Sequence, residues 1–422
     1  MNVAQRIIRC LRTTGTRYVF GIPGEEILDL LDALGESDLE FVPTRHEQGA
    51  AFMAATWGRL TGVPGVCLTT LGPGALNTTT GLAYSYLGQM PMILISGQKP
   101  AGFVKHGGFQ KVDVVDSMQS ITLLSRRLTK PGAVVSLVFN AIHTAVNFPF
   151  GPVHIELPED VAKKEIPEGL ADLDIFEVST RVGAEAAYVS KVARLMNQAE
   201  APLLIFGQHA NVPEASAILR QFIEACGIPF ASTQMGKGAV NEDHELYMGT
   251  TALSENDFIH RMASHSDLLI LVGHNESEKP PLMACCHTQE VIHIHETAPI
   301  INETYFPSLA LVGDIKTTIK ALTVELNCAE YRKFEKYKTA FIRHEDKLRK
   351  TTNPMQIVEQ VRQALPDDGI VALDNGLYKI WFARHYRARQ PQTLLLDNAL
   401  ATWGRVYLRH LPRSWFTLNA RF

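Results

Sequence analysis

The run Gly65-Val66-Cys67-Leu68-Thr69-Thr70, followed at once by Leu71-Gly72-Pro73-Gly74-Ala75-Leu76-Asn77, decides the fold. Its first half is a short apolar segment ahead of a glycine-proline turn, which reads as a buried strand. Its second half is a turn that leads into a helix starting near Ala75. Strand, tight turn and helix in that order form one βα unit, and the same alternation recurs on both sides of it. Upstream, Val3, Ile7, Ile8 and Leu11 share one helical face and are followed by the β-type run Tyr18-Val19-Phe20 and a Gly21-Ile22-Pro23-Gly24 turn. Further strands are expected at residues 39–42, 92–96 and 152–157. Strands separated by helix-length segments imply a parallel sheet, with sites outside the carboxyl ends of its strands.

From residue 60 to residue 98 no side chain is charged, but Pro64, Gly72, Pro73, Gly74, Asn77 and Gly88 interrupt the stretch. A membrane span needs about 20 predominantly apolar residues without such breaks, so buried α/β core is expected here and no membrane partner. Residues 163–187 lose the pattern and read as a linker. A second α/β block follows, with strands expected at 203–206, 229–232, 268–272, 291–295 and 309–312. The stretch 329–353 is dense in Lys, Arg and Glu and reads as a solvated helix. A third block opens with Ile357, Val361 and Leu365 on one helical face and a strand at 370–373, while its last twenty residues have no clear period.

The 422 residues predict two to four domains, and 46% hydrophobic with 20% charged residues is the composition of an ordinary globular chain. Lys and Arg total 40 against 44 for Asp and Glu, so no basic field exists to hold a phosphate backbone, and nucleic acid is not expected as a partner. Six cysteines (Cys10, Cys67, Cys226, Cys285, Cys286 and Cys328) lack C-x-x-C spacing and read as reduced thiols. The first twelve residues carry Arg6, Arg9 and Arg12 and no uninterrupted apolar core, so no signal peptide and a cytoplasmic location are expected.

Generic motifs are absent from the sequence. There is no G-x-x-x-x-G-K-[ST] loop and no G-x-G-x-x-G after the first strand, and His46-Glu47 is followed by Ala50 where a zinc helix needs its second histidine. His293 and His295 alternate onto one face of a strand, and exposed or hydrogen-bonded strand histidines account for them better than a metal pair. No metal ligand is assigned. Thr44 and Glu47 fit a capping box, and on the local pattern alone this reading is favoured over a functional carboxylate.

Phe20-Gly21-Ile22-Pro23-Gly24-Glu25-Glu26, Thr44-Arg45-His46-Glu47-Gln48-Gly49-Ala50-Ala51, Thr70 through Asn77, and Ile95-Ser96-Gly97-Gln98 together resemble successive motifs of the thiamine-diphosphate-dependent enzymes, most of all acetolactate synthase large subunits. The resemblance implies an α/β fold of three domains with parallel sheets: a pyrimidine-binding domain over residues 1–163, a central domain over 188–328 and the start of a pyrophosphate-binding domain over 354–422, the third incomplete. It implies a transferase that decarboxylates pyruvate and passes the two-carbon unit to a second 2-keto acid, in branched-chain amino acid or acetoin metabolism. Another 2-keto acid decarboxylase, or a non-catalytic product, stays open beside it.

By resemblance, Glu47 is the catalytic carboxylate: it hydrogen-bonds the aminopyrimidine of thiamine diphosphate and favours the imino tautomer, whose exocyclic nitrogen takes the thiazolium proton. Phe109 and Gln110 match an active-site pair, the first an apolar wall and the second a hydrogen-bonding group near the reacting carbonyl. Pro23, Gly24, Gly72, Pro73, Gly74 and Asn77 fall in the cofactor-binding motifs. A homodimer or homotetramer is implied for an intact member, with each cofactor between two subunits.

Three departures qualify this. Where biosynthetic relatives carry Pro-Lys-Asp, this chain has Pro158-Glu159-Asp160, an acidic group in place of a cationic one. Where they carry Val-Gly-x-Arg-Phe-Asp, with an arginine that helps bind FAD, it has Val272-Gly273-His274-Asn275-Glu276-Ser277-Glu278, which argues against FAD and toward the catabolic-like or a paralogous branch. The family block matching Asn398-Ala399-Leu400-Ala401-Thr402 continues Met-Gly-Ala-Gly-Leu-Pro-Ser-Ala, and here continues Trp403-Gly404-Arg405-Val406-Tyr407-Leu408-Arg409. With synonymous codons chosen to fit, the family block can be written ATG GGG GCG GGT TTA CCT TCG GCA, and this string read one base later gives TGG GGG CGG GTT TAC CTT CGG CA, which encodes that run. A frameshift near Thr402 is therefore expected, whether in the gene or in its reading, with residues 403–422 out of frame. The Mg²⁺ and diphosphate motif would then be missing and the chain inactive alone.

Overall fold

The structure, a computed structural model, describes residues 1–100, 108–169, 181–251, 253, 258–278, 289–302, 305–327, 335–351 and 353–402. The chain divides into two compact units, Met1–Val178 and Ser179–Ala401.

The first unit is built on strands β1 (Tyr18–Gly21), β2 (Glu40–Pro43), β3 (Gly65–Thr69), β4 (Met92–Gln98), β5 (Leu124–Arg127) and β6 (Pro152–Pro158). They form one sheet in the order β2-β1-β3-β4-β6-β5, and every neighbouring pair is parallel. Strands β1, β3, β4 and β6 are buried along their whole length, which is why most of their residues are apolar. One face is covered by the helices Val3–Thr13 and Val134–Val146, whose Ile7, Leu11, Val138 and Ala141 pack on Val66, Ile93 and Val153.

The other face carries the helix Glu47–Thr61, and its small residues set how closely it sits. A side chain at Gly58 would collide with the carbonyl of Pro91, one at Gly65 with the carbonyl of Ala54, and one at Gly81 with Ala51. Ala50, Ala51, Ala54 and Ala55 are fully buried there, so the helix lies backbone-close against β3 and the helix Thr79–Leu87. Its N-terminal residue, Glu47, is thereby fixed by packing behind it.

The second unit repeats the scheme with β7 (Pro202–Phe206), β8 (Phe230–Ser232), β9 (Tyr247–Thr250), β10 (Leu268–Val272), β11 (Glu290–His295) and β12 (Leu309–Val312), in the order β12-β11-β10-β7-β8-β9. All neighbours are again parallel. Lys237, after β8, is fully buried and donates to Glu242 Oε2 at 2.8 Å and Thr250 Oγ1 at 3.1 Å. The same Glu242 oxygen accepts from the Ala388 backbone at 2.9 Å, which ties the third sequence block to this unit. That block forms the helices Asn353–Ala364 and Leu377–His385 and a two-stranded parallel sheet, β13 (Val371–Ala372) with β14 (Leu394–Leu395).

Most of these expectations are met, and one shifts. The charged stretch forms the helix Glu335–Thr351. In the next helix the buried face is Met355 and Val358, while Ile357 is 51% exposed, so the inward face lies to one side of the one read from apolar spacing. Arg362 is buried on this face because its guanidinium donates to Tyr386 Oη at 2.8 Å and to the carbonyl of Leu365. Cys10, Cys67 and Cys226 are free and buried, and Cys285, Cys286 and Cys328 lie outside the described residues. Among the described residues no helix is long and apolar enough to cross a membrane.

Candidate functional site

Sheet order decides where loops diverge. The chain runs from β1 outward to β2 and then returns to the other side of β1 as β3, so the first sheet reverses between β1 and β3. Loops leaving the carboxyl ends of two such strands separate and leave a crevice. The Gly21–Gly24 segment leaves β1 there, Thr44–Glu47 leaves the adjacent β2, and the Gly72-Pro73-Gly74 turn follows β3.

Glu47 is the first residue of its helix, not the third. The residue that caps the helix is His46, whose Nδ1 accepts from the Gln48 backbone at 3.1 Å. The Thr44 hydroxyl instead donates to the His46 carbonyl at 3.0 Å, so the capping-box reading of Thr44 and Glu47 does not hold. The Glu47 carboxylate is free of that duty. Its Oε2 accepts from Asn77 Nδ2 at 3.0 Å, and its Oε1 faces Gly74, where a Cβ would stand 3.5 Å away.

Thr70 sits at the centre of the glycine turns. A side chain at Gly24 would collide with its methyl group and one at Gly74 would crowd its hydroxyl. Gly72 has φ of +42°, a region that glycine tolerates best, and a Cβ there would run into the backbone carbonyl of Gln110. Gln110 itself has φ of +55°. The structure therefore brings together Glu47, Asn77, Gly24, Gly72, Gly74 and the Gln110 backbone. Pro23 and Pro73 flank them on the surface, and the Phe109 ring is 68% exposed. Thr70 was not singled out in the sequence, although a polar residue between a buried strand and Gly-Pro-Gly is a usable signal.

The surrounding charges are arranged along the same edge. Lys99, just after β4, pairs with Glu26 at 2.8 Å and lies 3.9 Å from Glu25. The hydrogen bond to Glu26, then the Glu26, Glu25 and Glu159 charges, hold its pKa above the usual lysine value against burial. Glu159 thus stands near a cation. Glu156, fully buried on β6, accepts from Gln98 Nε2 at 2.9 Å and from Arg127 Nε. His154 bridges the hydroxyls of Ser96 and Ser125, at 2.8 Å each, and burial lowers its pKa to about 3. Burial, and then the Glu47 charge, push the Cys67 thiol upward, so it is a neutral packing group.

The second sheet reverses between β7 and β10, and that crevice is filled. Glu278 is 2% exposed and accepts from the backbone N–H of Gln208 at 3.0 Å and of Asn275 at 3.4 Å, and from the Thr233 hydroxyl. His274 Nδ1 stands 3.7 Å from it. Burial pushes the Glu278 pKa up, but His274, Thr233 and Gln208 together outweigh it, and the net shift is downward. His293 bonds Tyr305 Oη at 2.8 Å and the Thr297 carbonyl at 3.1 Å, and His295 Nδ1 accepts from the Thr297 backbone at 3.1 Å. The strand histidines are thus hydrogen-bonded. Among the described residues no three His, Cys, Asp or Glu are placed to hold a metal ion. The frameshift expectation concerns residues 403–422, which lie outside the described residues.

Residues 1–119 match the N-terminal TPP binding domain of thiamine pyrophosphate enzymes, and residues 189–322 match their central domain. The chain is 30% identical over 413 residues to the acetolactate synthase isozyme 2 large subunit of Escherichia coli K12, covering 96% of this chain and 74% of that protein. It is 29% identical over 428 residues to a probable acetolactate synthase large subunit of Methanocaldococcus jannaschii, covering 96% and 72%. It is also 29% identical over 412 residues to an acetolactate synthase of Bacillus subtilis, covering 95% and 72%. Two domain matches in family order and a similarity that runs through the glycine turns and Glu47 place this chain among the thiamine pyrophosphate enzymes, in the family of acetolactate synthase large subunits.

Proposed function

We propose that this chain is an acetolactate-synthase-type carboligase, which decarboxylates pyruvate with thiamine diphosphate and transfers the two-carbon unit to a second 2-keto acid. The observation that carries the reading is the Glu47 carboxylate, held by Asn77 at the reversal of a parallel sheet with Gly74 facing its other oxygen. The residues present fit the pyrimidine half of that cofactor. Glu47 offers an acceptor to a protonated ring nitrogen, and Asn77 occupies one oxygen and so orients the other. Gly24, Gly72 and Gly74 keep side chains out of the approach. Bound there, thiamine diphosphate would supply a carbon nucleophile and a sink for the electrons released with CO₂. Gln110 would hydrogen-bond the reacting carbonyl, and Phe109 would wall it from water.

Mg²⁺ and the diphosphate need oxygen ligands from a third domain. The reading of residues 403–422 as out of frame makes the second part of the proposal: the chain as given forms no product alone and gains activity when the frame after Thr402 is restored. The test incubates both forms with pyruvate, thiamine diphosphate and Mg²⁺ and separates acetolactate from acetaldehyde. Acetolactate from the restored form, lost in Glu47→Gln, supports the carboligase. Acetaldehyde alone would make it a decarboxylase, and turnover by the chain as given would overturn the second part.

A further inference from the structure

The reversal between β7 and β10 is where a doubly wound sheet takes a nucleotide, with backbone N–H groups directed at its phosphates. In this chain those donors are already engaged. The Gln208 N–H after β7, the Asn275 N–H after β10, the Thr233 hydroxyl after β8 and the His274 ring converge on one carboxylate, that of Glu278. The two loops also touch: His209 N–H bonds the Gly273 carbonyl at 2.9 Å, and Asn275 Nδ2 bonds Gln208 Oε1 at 3.2 Å. A Cβ at Gly207 would collide with Gly273 and His274, so no gap is left for a ligand to lie between the loops.

We infer that Glu278 is a built-in anion that occupies the phosphate position of the second sheet, closes it to flavin and nucleotide diphosphates, and covers a latent site for inorganic phosphate. Several donors converging on one point stabilise an oxyanion, and a carboxylate tethered to the chain meets that need without the entropy of capturing a free ligand. Charge is matched as well, because the carboxylate brings one negative charge where a bound phosphate would bring one or two. The flavin suggested by biosynthetic relatives does not fit these residues, since its diphosphate would have to displace a buried, hydrogen-bonded carboxylate. None of this depends on the carboligase reading, because Glu278 and its donors all belong to the second unit.

The test uses the full chain and its Glu278→Ala and Glu278→Gln variants, melted in phosphate and in chloride at matched ionic strength. Phosphate is expected to raise the Tm of Glu278→Ala by about 3 °C or more and to leave the other two unmoved, since the amide of glutamine still fills the space. A folded Glu278→Ala that ignores phosphate, or an equal response from all three proteins, would overturn the inference. Should Glu278→Ala fail to fold in chloride, refolding in phosphate is expected to recover it, and failure to recover counts against the inference. Equilibrium dialysis of the unaltered chain against FAD and ADP gives an independent arm. Saturable binding of either, with amide protection after β7 and β10, would sink the idea, and no binding at millimolar ligand supports it.

Discussion

Two parallel sheets of six strands each reverse beside their first strand, and a carboxylate stands outside each of these two reversals. Outside the first, Glu47 is half-buried and held by one side-chain donor, Asn77, with exposed Pro23, Pro73 and Gln110 around it. Outside the second, Glu278 is 2% exposed and its oxygens are engaged by two backbone N–H groups and a hydroxyl. The same topology thus leaves one carboxylate half-exposed with a single side-chain donor and engages the other within the protein. What separates them is the loops. Glycines at 24, 72 and 74 let the first set of loops pack on Thr70 and the Gln110 carbonyl around a carboxylate that keeps one side-chain donor, while Gly207 and Gly273 let the second pair of loops close on each other. A glycine at a sheet reversal does not by itself mean a binding site, and its neighbours decide which.

The sharpest way to separate the two carboxylates is to neutralise the first. Glu47→Gln keeps the shape and the Asn77 contact but loses the proton acceptor, and is expected to lower turnover of an active form about 10²- to 10⁴-fold. Its Tm should stay within about 1 °C, because the group is half exposed and its hydrogen bond from Asn77 can be kept. A large fall in stability with unchanged activity would reverse the roles assigned to the two edges.

The second edge is expected to fail in the opposite manner. Lys237→Met leaves Glu242 charged, buried and short of its cation, and removing one partner of such a pair costs about 3–5 kcal/mol. Desolvation works against the Lys237 charge, yet Glu242 and Tyr247 hold its pKa above the usual value, so the pair is charged. Chemical denaturation followed by hydrogen exchange is expected to show the loss in the second unit, with the amides of β1 to β6 unchanged.

A milder test alters the opening itself. Gly72→Ala places a side chain at φ of +42° and against the Gln110 carbonyl, and is expected to destabilise the fold by about 2 kcal/mol. Turnover should fall with it, since the Gln110 segment must move. Gly35→Ala, inside the helix Leu28–Gly35 with open space around its Cβ, is the control and is expected to be neutral or slightly stabilising.

Much of this was legible from the residues. The buried strands β3, β4, β7 and β10 announce themselves as apolar runs, and the four motifs that carry the resemblance all fall on the carboxyl edge of the first sheet. The strands missed were β5 and β9, both at the edges of the six-stranded sheets, and the two-residue β14. Strand β5 is Leu124-Ser125-Arg126-Arg127, whose two arginines reach water, and β9 is only four residues long with Gly249 inside it. Strand β5 lacks the two buried faces that make a strand visible in sequence, and β9, though buried throughout, is too short and too broken by its glycine to read as an apolar run. Glu47 was legible only through the family motif, because the local pattern pointed to a cap that His46 in fact provides. Glu278 was not legible, since a charged residue after an apolar strand ordinarily faces solvent, and only the folded loops turn it inward.

Acidification gives the smallest effect and compares the units without mutation. In the second, burial lowers the pKa of His209 to about 4, of His293 to about 4 and of His295 to about 2, and the rings touch, with His209 and His295 centroids 5.1 Å apart. In the first, His154, lowered to about 3 by burial, is the corresponding group. A folded-state pKa below the unfolded value means that the unfolded chain binds the extra proton. Stability is therefore full above about pH 6.5 and is lost as pH falls toward the folded values. Between pH 7 and pH 6 each such histidine is expected to cost about 0.7 kcal/mol, so the three in the second unit cost roughly 2 kcal/mol against under 1 for the first. Hydrogen exchange at the two pH values, corrected for intrinsic rates, should show β10 and β11 losing protection before β3 and β4. The opposite order would mean that the histidines of the second sheet accept protons in the folded state, and that its closed edge admits water after all.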